Sequence, residues 1–187
     1  LTLGLLVALI VSRWLAFPAT IWDIDEAIFT RTLLDFDPAA NFPHPPFFPL
    51  WILLGKLALW LHPHAAPFRA LQLVSSAFSV WMFFPLLAVW SLILPRHHAA
   101  AATLLFLHLP LPWLLASRGY TGTAACGLLV ACAAHWIRPP GVAPRFWAGA
   151  SMAACCLLVR PQMAPLVVIL ALWRSRVHDR ETVPAGS

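Results

Sequence analysis

Between Asp37 and Asp179 the chain carries no acidic residue. Five of its seven carboxylates, Asp23, Asp25, Glu26, Asp35 and Asp37, are gathered in one polar stretch near the N-terminus. Most of the remainder is a succession of apolar runs, broken by single arginines, histidines and prolines. Such a chain has little with which to cover a water-facing surface. Charged residues make up 10% of it, against roughly 25% in soluble domains. With 61% hydrophobic residues among 187, it reads as all-α, a polytopic transmembrane helical bundle. In a bilayer, helices satisfy every backbone polar group within the segment.

The net charge of +5 comes from dispersed basic residues. They form no patch with interleaved polar side chains, so nucleic acid is not an expected partner; membrane lipids are. Cys126, Cys132, Cys155 and Cys156 all fall in apolar segments and read as small buried side chains. No His/Cys cluster has metal-ligand spacing, so neither a metal nor another cofactor is expected.

Leu1 to about Phe17 reads as a first span, with Arg13 snorkelling toward the interface. The acidic stretch, Pro18 to about Pro46, is a loop that can hold a short helix over 25–34, started by Asp23 or Asp25. Ile28, Phe29 and Leu33 would then rest on the membrane surface. Phe47–Leu61 is short for a span, which needs roughly 20 residues. It carries Trp51 and Trp60, and it reads as an interfacial or partly re-entrant helix. Further spans are expected at 68–94, at 99–116 with breaks at Pro110 and Pro112, and at 121–137. Two short apolar segments follow at 146–159 and 163–173. We expect one membrane module over 1–174 and a polar tail over 175–187.

Charge bears on the topology. If Phe47–Leu61 does not cross, the turns at Arg96, at Arg138 and Arg145, and at Arg174, Arg176 and Arg180 share one side. The acidic loop, Arg118 and Arg160 then share the other. Positive residues favour the cytoplasm, which puts the acidic loop outside it.

Carboxylates at a membrane surface can act as general base toward a hydroxyl or amine, hold a divalent cation or pair with arginine. They are also ordinary solvated surface. Asp23 and Asp25 share a face if the segment is extended; Asp25 and Glu26, as neighbours, need not point the same way. Arg118 and Arg160 each sit at a break between apolar runs, on the side of the acids. Arginine binds phosphate bidentately, and a lipid phosphate lies at that depth. His44, before two prolines, is a rigidly presented imidazole.

An apolar helix, then Trp22-Asp23-Ile24-Asp25-Glu26-Ala27, then His44-Pro45-Pro46-Phe47 and a further apolar helix, resembles the N-terminal half of the GT-C glycosyltransferases. The resemblance is to their protein mannosyltransferase and aminoarabinose transferase branch. It implies transfer of a sugar from a polyprenyl-phosphate donor to a lipid or protein acceptor. It implies an extracytoplasmic reaction, with inversion, at a bacterial inner membrane. It assigns catalysis to Asp25, with Glu26 beside it and Asp23 in support. His44, Arg118, Tyr120 and Arg160 become substrate-binding residues. Where the family often has an acid after the arginine segment, this chain has Thr121-Gly122-Thr123. Family members are usually longer, so the resemblance implies a module of a larger protein. A non-catalytic membrane scaffold and a transporter are the alternative readings.

Overall fold

The computed structural model describes residues 2–40, 42–43, 47–137 and 143–182. It is all-α: α1 Thr2–Leu15, α2 Ile24–Leu34, α3 Pro49–Leu61, α4 Pro67–Trp81, α5 Phe83–Trp90, α6 Arg96–His108, α7 Pro110–Ala116, α8 Thr121–Trp136, α9 Ala143–Val159 and α10 Ala164–Thr182. No strand forms among the described residues; an isolated bridge joins Asp37 and Phe42 inside the acidic loop.

Together α4 and α5 make one helical rod, Pro67–Trp90, of 24 residues, long and apolar enough to cross a bilayer. Pro85 lacks the N–H that would reach back to Trp81, and the rod is interrupted at Met82. A second crossing is available if α6 and α7 count as one span; they meet at a bend of 68°. Pro110 and Pro112, marked by the sequence as breaks, account for that bend. The other apolar helices are shorter, at 10–17 residues. Large apolar side chains remain exposed on many of these helices, among them Leu3, Trp14, Leu53, Leu105, Trp147 and Ile169. An outer surface of this kind suits contact with lipid or with another apolar partner.

The helices share two ends. The end of α1, all of α2, the start of α4, the α7–α8 junction and the end of α9 lie with the acidic loop, here called the loop end. The far end carries Arg96, the Trp136–Phe146 stack (6.2 Å between ring centroids) and Arg174, whose Nη1 donates to the Trp136 carbonyl at 3.2 Å. Helix α10 continues through Arg174 to Thr182. The loop end also holds Arg31 and Arg69, which the charge argument left out; they narrow the difference in basic residues between the two ends.

Helix α3 explains how the loop is held. At 13 residues it is about 20 Å long. It packs on α2, α4 and α9. Its buried residues Trp51 and Ile52 join Phe29, Leu33, Ala70, Leu71, Ala125 and Val159 in the principal core. Those partners come from the loop-end portions of their helices. Gly55 permits the approach: a Cβ there would come within 2.7 Å of both Leu33 and Leu71. The expectation that Phe29 and Leu33 lie on the membrane surface is therefore corrected. They are 2% and 5% exposed, because α3 folds over them. Phe29 meets Phe48 edge-on at 5.1 Å. Phe47 and Phe48 enter α3 with φ of 68° and 41°, a left-handed turn that costs a non-glycine residue on the order of 1–3 kcal/mol.

Arg13 is the second correction. It does not snorkel; it is 1% exposed. Its Nε donates to Ser79 Oγ at 3.1 Å, and its Nη2 donates to the Leu107 carbonyl. The α6–α7 bend takes that carbonyl out of the helical ladder, and a buried carbonyl needs another donor. Arg13 supplies it and ties α1 and α4 to the broken helix. Arg13→Met is expected to destabilise the fold by about 2 kcal/mol through the loss of these bonds. Thermal unfolding in detergent measures it. Arg13→Lys should recover part of the loss, since one ammonium serves one acceptor better than two.

Candidate functional site

The five acids of the loop fall to different tasks. Asp23 is the N-cap of α2: its Oδ1 accepts the Glu26 N–H at 3.1 Å, in extended backbone at φ −144°. Asp35 pairs with Arg31 at 3.2 Å on the surface, both side chains more than half exposed, an arrangement worth little. Asp37 accepts the N–H groups of Ala39 and Ala40 at 3.0 and 3.2 Å, which fixes the turn after α2. Glu26 is fully buried. Its Oε2 accepts the Trp22 N–H and its Oε1 the Gly119 N–H, both at 2.9 Å. Asp25, in the first turn of α2, is exposed, and no hydrogen bond or ion pair joins its side chain to another described residue.

Asp23 ends the extended chain and Asp25 is already helical, so the extended segment on which the two would share a face is not formed. Glu26, beside Asp25 in sequence, points the other way, into the protein. Both of its oxygens are engaged by backbone donors, so it acts as a clamp between the loop and the α7–α8 junction. Gly119 is part of that clamp. A Cβ there would lie 3.0 Å from the Leu71 Cβ and 3.3 Å from Glu26 Oε1, and a side chain would push the carboxylate away from the N–H it accepts.

The clamp sets the acidic loop against Ser117-Arg118-Gly119-Tyr120. Ser75 and Ser76 of α4 hold this junction from beneath, donating to the carbonyls of Leu115 and Ala116 at 3.1 and 2.9 Å. Arg118 is 7% exposed. Its guanidinium carbon lies 4.3 Å from the Trp22 ring centre, within cation–π range. Its Nη1 is buried and finds no acceptor among the described residues. Tyr120 is the half-buried N-cap of α8 and supplies no side-chain cap; no acid stands in the first turn. The first amides of α8 therefore lack the usual acceptor, and the helix dipole there favours an anion. Arg160, at the break before Pro161, reaches the same turn, its Nη1 donating to Thr121 Oγ1 at 3.2 Å.

So Arg118, Tyr120, Arg160 and the acidic loop, far apart in sequence, are brought to one end of the bundle. They do not line the two largest clefts described, which lie against α1 at Arg69 and at Arg96. His44 lies outside the described residues, and no group of three or more metal-ligating side chains occurs among those described. Sequence reasoning missed Trp22 as the platform for Arg118 and Gly119 as the clamp's donor. Spacing held a signal for the clamp: an Asp followed three residues later by Glu is the capping-box pattern, in which the Glu turns back toward the chain before the helix.

The chain matches no family model, no curated protein and no solved structure.

Proposed function

We propose that the chain is a membrane-embedded glycosyl-transfer module, with several helices crossing the bilayer and the acidic loop on the extracytoplasmic side. It would take a sugar from a polyprenyl-phosphate donor. The observation that carries this reading is the buried Arg118 Nη1, without an acceptor among the described residues, at the loop end that also holds the uncapped start of α8 and Arg160. Buried polar groups are normally satisfied, and a buried cationic donor without an acceptor is suited to an anion. Phosphate supplies both the charge and the acceptor oxygens.

In the proposed reaction, the Asp25 carboxylate removes the proton of an acceptor hydroxyl or amine. The freed electron pair attacks the anomeric carbon of the donor. The bond from that carbon to the phosphate oxygen breaks, and its electrons leave with the lipid phosphate. Arg118 and Arg160 meet the charge that develops there. A single displacement inverts the anomeric centre. Glu26 takes no proton in this scheme; it holds the loop bearing Asp25 against the arginines.

The test is a transfer assay in vesicles with a polyprenyl-phosphate sugar. Arg118→Gln is expected to weaken the donor's apparent KM by about tenfold or more, the value of a charge-assisted bond. A donor KM unchanged by Arg118→Gln removes the phosphate role. No transfer by the wild-type chain, with donor still bound, favours the scaffold reading instead.

A further inference from the structure

A groove of about 820 Å³ runs along α6, between α1 and α5, from Arg96 to His108. Its floor and walls are apolar, formed by residues such as Leu5, Leu87, Ala101 and Leu104. Arg96 and His97 line one end, His108 lines the other with its Nδ1 on the Leu104 carbonyl at 2.8 Å, and none of the lining residues is acidic. Arg96 and His97 are exposed. They occupy the first turn of α6, a turn without an acid and without a side-chain N-cap. The Arg96 guanidinium there adds to the partial positive charge of the helix start, the unfavourable placement for a cation. A bound anion relieves both.

An apolar channel of this kind, with the Arg96 guanidinium at one end, is complementary to an amphiphile with an anionic head. From this geometry we infer that the groove is a binding site for an anionic diacyl phospholipid. The phosphate sits on Arg96, His97 and the first amides of α6. One acyl chain lies along Ala101, Leu104 and Leu87. Alanines on the α6 side keep the channel open, since they leave room for a chain where larger residues would fill it. The inference rests on the membrane part of the functional reading and not on sugar transfer, because Asp25 does not line the groove.

The experiment incorporates the full chain into nanodiscs holding equal amounts of phosphatidylglycerol and phosphatidylcholine. It extracts the protein gently and compares the co-purifying lipids by mass spectrometry. Wild-type protein is expected to retain phosphatidylglycerol in excess. Arg96→Gln with His97→Gln should lower that preference about fivefold, the effect of one surface cation on an anionic lipid. Ala101→Phe, which fills the channel and leaves the charges in place, should also lower retention of phosphatidylglycerol. Unfolding of each variant is monitored alongside; Ala101 is exposed, and phenylalanine there can remain helical. Equal retention of both lipids by wild type overturns the proposal, as does an Ala101→Phe variant that retains phosphatidylglycerol fully. Displacement of the lipid by inorganic phosphate alone means an anion site with no need of an acyl chain, and overturns it too. Failure of the chain to enter the nanodisc removes the membrane reading itself, a result distinct from loss of lipid selectivity.

Discussion

Asp25→Asn is expected to lower sugar transfer by about 10²–10⁴-fold, the range for loss of a positioned general base, with thermal unfolding almost unchanged. The two halves of that expectation have separate causes. An asparagine has nearly the same shape but cannot accept the acceptor's proton. The fold is spared because Asp25 is exposed and its side chain has no bond to another described residue. Its charge contributes only through its place in the first turn of α2, about 0.3–1 kcal/mol at most for an exposed site. The loss should appear in kcat, with the donor's apparent KM held. Asp25→Glu should restore part of the rate by returning a carboxylate on a longer arm. Asp23→Asn is the control, because asparagine caps a helix as well as aspartate; it should stay close to wild type in stability and rate. Wild-type turnover in Asp25→Asn leaves the loop without its catalytic acid.

Local sequence revealed the features that depend on local sequence. Apolar runs located the principal helices, Pro110 and Pro112 marked the 68° bend, and Asp23 announced the start of α2. Segment length marked α3 as a short apolar helix. What stayed hidden was long-range. Arg13 and Leu107 are 94 positions apart, and nothing near Arg13 signals that a broken helix will present a free carbonyl to it. Phe29 and Leu33 were read as facing lipid because only the folded chain shows α3 lying over them. The acids looked alike in sequence. They separate by their geometry with the backbone: Asp23 at a cap, Asp37 in a turn, Asp35 in a surface pair, Glu26 in a buried clamp, Asp25 unengaged. The polar stretch therefore contains one candidate base, where its composition offered several. Arg118 and Arg160 were legible as breaks in apolar runs, but the Trp22 ring against Arg118 and the Thr121 hydroxyl that accepts from Arg160 were not.

Glu26→Ala is expected to do the opposite of Asp25→Asn, damaging the fold first and the reaction as a consequence. The side chain is fully buried, and its two oxygens accept from Trp22 and Gly119 at 2.9 Å. Each hydrogen bond to a charged group is worth about 1.5–3 kcal/mol, so removal of both should cost about 3–6 kcal/mol, with a cavity added. Glu26→Gln should recover little. Its amide offers one acceptor oxygen, and its NH₂ must then face the other backbone N–H, donor against donor. The loss is measurable as a lower unfolding temperature in detergent. A second readout separates a clamp from a catalytic acid: limited proteolysis. Release of Trp22 and Gly119 frees the loop from the α7–α8 junction, so cleavage within 18–40 should speed up in Glu26→Ala and not in Asp25→Asn. Gly119→Ala should reproduce that cleavage pattern with Glu26 intact, because its methyl group presses on the same carboxylate. A Glu26→Ala protein that keeps wild-type stability and protease resistance but loses transfer would return Glu26 to the chemistry and leave the clamp without support. Wild-type stability together with wild-type transfer would leave neither role. Loss of both, with the loop cut, identifies the buried glutamate as the group that holds Asp25 at the arginines.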